Sequence, residues 1–161
     1  MKIYHGSLEV VENPMILQPN RLLDYGNGFY TTTSEQQSKE WVERRMREKI
    51  VNGGYVNVYE FDDIKMQELK CLIFAEPSKE WADFVMANRT QKGFTHDYDI
   101  VYGPVANDRV YLQFGLYESG AIGIETLIRE LKTYKLVDQY LFHTEKALAA
   151  LHFIEAIRIG K

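Results

Sequence analysis

Apolar and polar positions alternate at period two in two stretches. In residues 55–61, Val56 and Val58 stand between Tyr55, Asn57 and Tyr59, and residues 152–159 alternate likewise. Both predict strands, the first with one polar face. Shorter extended runs are predicted at residues 3–7, 28–33, 69–74 (apolar, read as a buried strand), 98–102 and 139–143. Helical spacing replaces alternation from Ser34 to about Val51, with Trp41, Arg45 and Glu48 roughly along one stripe. A second helix is predicted from Pro77-Ser78 to about Asn88, carrying Trp81, Phe84 and Val85. Two more follow over residues 110–117, capped by Asn107 or Asp108, and 124–131. Thr144 opens a helical turn reaching Ala149.

The breaks between these runs have their own chemistry. Gly26-Asn27-Gly28 supplies residues that accept φ > 0 and lead into the aromatic and threonine-rich run Phe29-Tyr30-Thr31-Thr32-Thr33. Ser34 with Gln37 has capping-box spacing. Asn52-Gly53-Gly54 is read as the end of the first helix. Residues 8–13 predict a short helical turn stopped by Pro14, and Pro19-Asn20 marks a second break. Strands and helices interleave without a regular βαβ repeat, and no glycine-rich loop has Rossmann or P-loop spacing. The expected class is α+β, a mixed or split antiparallel sheet with helices around it, in a single domain spanning residues 1–161.

Composition narrows the function classes. Hydrophobic residues make up 45% of the chain, enough for a full core, and charged residues 26%. A net charge of −4 argues against a protein that coats nucleic acid non-specifically. Arg44, Arg45, Arg47 and Lys49 are interspersed with Glu43 and Glu48, the pattern of a salt-bridged helix face. Cys71 is the single cysteine, which excludes an internal disulfide and cysteine-built metal sites, and His5, His96, His143 and His152 have no ligand spacing. No metal is expected. Without a signal sequence or an apolar run long enough to cross a bilayer, a cytoplasmic protein with no membrane partner is expected.

Three segments combine into a constellation: Tyr4-His5-Gly6-Ser7, Gly26-Asn27-Gly28-Phe29-Tyr30 and Gln139-Tyr140-Leu141-Phe142. Their order and spacing resemble the ADP-ribosyltransferase superfamily, in its diphtheria-toxin and poly(ADP-ribose) polymerase branch, marked by a His-Tyr-Glu triad on three strands. Residues 24–33, the helix with Trp81, Phe84 and Asn88-Arg89, Asp99-Ile100-Val101-Tyr102-Gly103-Pro104 and residues 139–148 also resemble a bacterial family of that superfamily long catalogued as a domain of unknown function.

The resemblance implies a split-sheet fold and NAD as co-substrate, cleaved at the nicotinamide–ribose bond through an oxocarbenium-like state. It implies that His5 orients the dinucleotide through a ribose and that Gly6 pairs its backbone with the carboxamide. Ser7 adds a hydroxyl, Gly28 lets the backbone approach the ligand, and Tyr30 stacks on the nicotinamide. Arg89 is a candidate for the pyrophosphate or the acceptor, since a guanidinium pairs bidentately with phosphate.

The third triad position departs from the pattern, because Gln139 stands where a glutamate is expected. An amide oxygen still accepts a hydrogen bond from a ribose hydroxyl but brings no negative charge and no general base. Asp138 is expected on the opposite strand face, and Glu145 reads as an exposed first-turn acid. The implied activity is mono-ADP-ribosyl transfer to a protein or nucleic-acid acceptor, as in bacterial toxins and defence effectors, with an antitoxin as a further partner. The alternatives are a catalytically inactive NAD- or ADP-ribose-binding module and an NAD glycohydrolase.

Overall fold

The computed structural model describes residues 1–17 and 23–160. The chain runs through β1 (Lys2–Ser7), β2 (Phe29–Thr31), α1 (Glu35–Lys49) and β3 (Gly53–Phe61). A 3-10 segment (Asp63–Glu68) then leads to β4 (Cys71–Ile73), α2 (Lys79–Thr90), β5 (Ile100–Pro104), α3 (Asp108–Glu118) and α4 (Ile124–Lys132). It closes with β6 (Asp138–Phe142), α5 (Glu145–Leu148) and β7 (Leu151–Gly160).

The strands form two sheets, one of three in the order β1-β3-β7 and one of four in the order β2-β6-β5-β4. All pairings are antiparallel except β4 with β5. Among the described residues the sheets meet at one bridge, where Tyr4 and Thr32 exchange both backbone hydrogen bonds at 2.9 Å. This is an α+β architecture with split sheets.

Alternation decides what each face buries. In the four-stranded sheet Val101 and Leu141 face the helical layer, packing with Trp81, Val85, Val110, Phe114, Leu127 and Leu131. Their neighbours Phe29, Ile100 and Phe142 face the opposite way and join Ile3, Tyr59 and Phe61 of the three-stranded sheet. Helix α1 covers the remaining face of β3 through Val42, Val56 and Val58. The predicted caps form: Ser34 accepts from the Gln37 amide, Ser78 from Trp81, Asn107 from Val110 and Thr144 from Ala147.

Several local expectations are overturned. Residues 8–13 form bends instead of a helical turn, because side chains of β3 take their backbone groups. Asn57 accepts from the Val11 amide at 2.9 Å and donates to the Glu9 carbonyl, while the Tyr59 hydroxyl donates to the Val11 carbonyl. The polar face of β3 is therefore buried, with Asn57 and Tyr59 fully covered. The buried stripe of α1 runs through Ser38 and Val42, with Trp41 and Arg45 only half-buried beside it.

That helix ends not on glycine but on Ile50, in the left-handed region at φ 54 and ψ 54 with its side chain 92% exposed. Gly53 and Gly54 instead open β3, where a Cβ on Gly54 would stand 2.5 Å from Val42 Cγ1. The run at 69–74 supplies only the edge strand β4, half-exposed at Ile73. The 3-10 segment fills a stretch to which the sequence pattern assigns no element. The break expected at Pro19-Asn20 lies outside the described residues.

Candidate functional site

The hydrogen bonds at the Tyr4–Thr32 bridge set the phase of both strands. Because Tyr4 turns its N–H and C=O toward β2, period two turns the N–H and C=O of Gly6 to the same side, away from β3. Continuing the register would pair Gly6 with Tyr30. That pair does not form: the His5 imidazole takes the Tyr30 carbonyl at 2.7 Å and stacks on Phe29 at 4.1 Å. The strands part there, and Gly6 has no strand partner on that edge among the described residues.

A carbonyl only accepts, so Nδ1 of His5 carries the proton and Nε2 offers a lone pair. Burial lowers the His5 pKa, against the raising effect of the Tyr30 bond, which favours this neutral form. A Cβ on Gly6 would lie 2.8 Å from the Ser38 carbonyl oxygen and from Val42 Cγ2, so α1 packing alone requires glycine there. Ser7 lies one residue beyond, its Oγ accepting from the Glu9 amide at 3.1 Å and its hydroxyl proton without an acceptor among the described residues.

Tyr30 closes back on the preceding turn. Its hydroxyl donates to the Gly26 carbonyl at 2.6 Å and accepts from the Tyr25 amide at 3.0 Å, and burial raises its pKa. Gly28, at φ 149, passes so close to β6 that a Cβ would meet Leu141 Cδ1 and the Phe142 carbonyl at 2.5 Å. Two histidines hold the same turn from outside. His96 Nε2 donates to the Tyr25 carbonyl at 2.7 Å, His143 Nδ1 to the Asn27 carbonyl at 2.5 Å, and their rings lie 4.1 Å apart.

Gln139 shares a sheet face with Tyr30, since Tyr30 pairs with Leu141 two residues along β6. It sits in a buried polar chain under the helices. Trp81 Nε1 donates to the Tyr25 hydroxyl at 2.9 Å, which donates to the Pro104 carbonyl at 2.8 Å. Gln139 Nε2 donates to that carbonyl at 3.4 Å and to Asp24 Oδ2 at 3.1 Å. Asp24, only 7% exposed, also accepts from the Ala106 amide at 3.2 Å, from the Tyr111 hydroxyl and from Arg89 Nη1 at 3.4 Å. Burial, then the charge of Asp24, push the Tyr111 phenol up.

Of the residues singled out from sequence, His5, Gly6, Ser7, Gly28 and Tyr30 gather around the opened β1–β2 junction. Gln139 lies in the neighbouring polar chain. Arg89 turns its guanidinium to Asp24 and over the Tyr111 ring, 4.6 Å from the centroid, and remains partly exposed. Asp138 faces away from Gln139, accepting from Thr32, Thr33 and Tyr102, and Glu145 is exposed, as expected for both. Sequence reasoning missed the roles of Asp24, Tyr111 and Trp81. An acid directly before the turn that leads to Tyr30 was the available signal for Asp24, but its partners lie on α2, the β5–α3 connection, α3 and β6. Among the described residues no cluster of His, Cys, Asp and Glu could hold a metal ion, and no helix is long and apolar enough to cross a membrane.

Fold and site define a split-sheet α+β protein whose two sheets part beside a buried carboxylate–amide network. The chain belongs to the family described as "Protein of unknown function (DUF3990)", whose model matches residues 1–153. No curated protein and no solved structure matches it.

Proposed function

We propose that this protein is an NAD-dependent mono-ADP-ribosyltransferase. The observation that carries the reading is the opened junction, where the backbone donor and acceptor of Gly6 on the edge facing Tyr30 have no partner among the described residues. A primary carboxamide matches that pair with its own C=O and NH2, as a strand would. Nicotinamide carries such a group on a flat ring, for which Tyr30, opposite Gly6 in the continued register, would supply the aromatic surface. Ser7 supplies an additional hydroxyl, His5 Nε2 accepts from a ribose hydroxyl, and Arg89 meets the pyrophosphate with its exposed edge.

In the reaction the bond between ribose C1′ and the nicotinamide nitrogen breaks, and its electron pair leaves with neutral nicotinamide. An acceptor nucleophile on a protein or nucleic acid bonds to C1′ and releases its proton. Gln139 Oε1 accepts from a ribose hydroxyl and steadies the oxocarbenium-like state as a neutral group, which suits single transfer. Extending the resemblance, we read the protein as a bacterial toxin or defence effector that an antitoxin would neutralise.

NAD labelled in both the nicotinamide and adenine halves tests this. Nicotinamide release with adenine label retained on a macromolecule supports transfer, and release with free ADP-ribose supports hydrolysis. Saturable binding without release favours a binding module, a second reading that the amide at Gln139 keeps open. Neither binding nor release overturns all three. Growth arrest on expression that disappears in His5→Ala would support the toxin reading.

A further inference from the structure

Gln139 is held by two groups that can only accept. The Asp24 carboxylate and the Pro104 carbonyl both face its amide nitrogen, at 3.1 and 3.4 Å. The orientation of this amide is therefore set by chemistry: turning it over would set its oxygen against a carboxylate and a carbonyl. Nε2 points inward and Oε1 is the atom left to meet a ligand.

The second consequence concerns charge. A hydrogen bond from one end of an amide to a carboxylate draws electron density toward its oxygen, and in a site screened from water this polarisation is strengthened. Among the described residues the nearer donors to the Asp24 carboxylate, the Ala106 amide, Gln139 and the Tyr111 hydroxyl, are all neutral and cancel none of its negative charge. Among the described residues its cationic partner is Arg89, at 3.4 Å with its side chain 36% exposed, where water screens it.

We propose that Asp24 is the positioning residue of this site, fixing Gln139 with Oε1 presented and lending that oxygen part of the negative charge that an amide lacks. A carboxylate directly on the strand would bring its charge to the ribose itself; here the charge sits one hydrogen bond behind. The inference rests on the NAD-cleaving reading of the site. It adds the claim that the reaction depends on a residue that need not touch the substrate.

The test measures nicotinamide release and NAD affinity in the wild-type protein, Asp24→Asn and Asp24→Asn/Gln139→Glu. Asparagine keeps the size and an acceptor for Gln139 but removes the charge. Asp24→Asn is expected to lower kcat about 10–100-fold, the range for groups that act through a neighbour, with NAD affinity changed by less than about threefold. Moving the carboxylate to position 139 is expected to recover at least about tenfold of the lost kcat, a rescue that a merely structural role for Asp24 would not give.

A wild-type protein that does not cleave NAD, whether or not it binds it, overturns the enzymatic reading and this inference together. A wild type that cleaves NAD, with Asp24→Asn within about threefold of its kcat or a double variant no faster than Asp24→Asn, overturns the role of Asp24 alone. If Asp24→Asn fails to fold, wild-type NMR decides. The side-chain amide of Gln139, assigned by its loss in Gln139→Ala, must be protected from exchange, and a solvent-like, fast-exchanging amide overturns the proposal.

Discussion

His5 occupies the hydrogen-bonding place of its neighbour. Its Nδ1–H meets the Tyr30 carbonyl at 2.7 Å, where the continued register would put the Gly6 amide. One side chain thus ends the pairing of β1 with β2 and leaves the backbone edge of Gly6 without a strand partner among the described residues.

Gly6 is confined by α1. Alanine there would press its Cβ within 2.8 Å of the Ser38 carbonyl oxygen and Val42. Gly6→Ala is expected to cost about 1–3 kcal/mol, as overpacking does in a filled site. Urea denaturation measures it, and a stability equal to wild type would refute the close packing.

Tyr30 has separable roles for its ring and its hydroxyl. Tyr30→Phe removes the bonds to the Gly26 carbonyl and Tyr25 amide and is expected to cost on the order of 1 kcal/mol in stability. Tyr30→Ala also removes the ring and is expected to weaken NAD binding by on the order of 1 kcal/mol. Calorimetric titration of both variants checks the order; equal NAD affinity in a folded Tyr30→Ala would count against the site.

Asn57 ties the segment after β1 to the sheet. Asn57→Ala leaves the Val11 amide without its acceptor and frees the Glu9 carbonyl, a loss of about 1–3 kcal/mol. Hydrogen exchange at Val11 should accelerate strongly in this variant while the amides of α2 keep their protection.

The pH dependence follows from His5 and His96. Both have folded pKa values lowered from 6.5, first by burial; at His96 the nearby His143 adds to this while the Tyr25 bond and Asp97 oppose it. The unfolded chain then binds more protons, so stability rises with pH in that range. It is complete above about pH 6.5 and falls as the pH drops through that value toward the lowered pKa values. Protonation of His96 would also cost the bond that its Nδ1 accepts from the Tyr98 amide. Unfolding free energies between pH 5 and 8 should show the decline. His96→Asn should make the decline shallower, with His5 supplying the remainder, and an unchanged slope would exclude His96.

Elements whose signals were local were legible in advance. The period-two runs gave β3 and β7, and Ser34, Ser78, Asn107 and Thr144 cap the helices they were expected to cap, since a cap involves residues only three apart. The misreadings share the opposite cause. Asn57 and Tyr59 look like a solvent face until residues 8–12 fold over them, and Gly53-Gly54 looks like a helix stop until Val42 and Arg158 are seen to need the space.

The candidate site divides the same way. Sequence by itself determined which strands carry His5, Gly6, Tyr30 and Gln139, because alternation and turn chemistry are written over a few neighbouring residues. Only the tertiary structure decided that β1 and β2 part beside Gly6, and that Asp24, 115 residues away, stands behind the amide of Gln139. Those facts depend on register between distant strands and on desolvated polar groups finding partners, and both are settled only when the two sheets and their helices pack together.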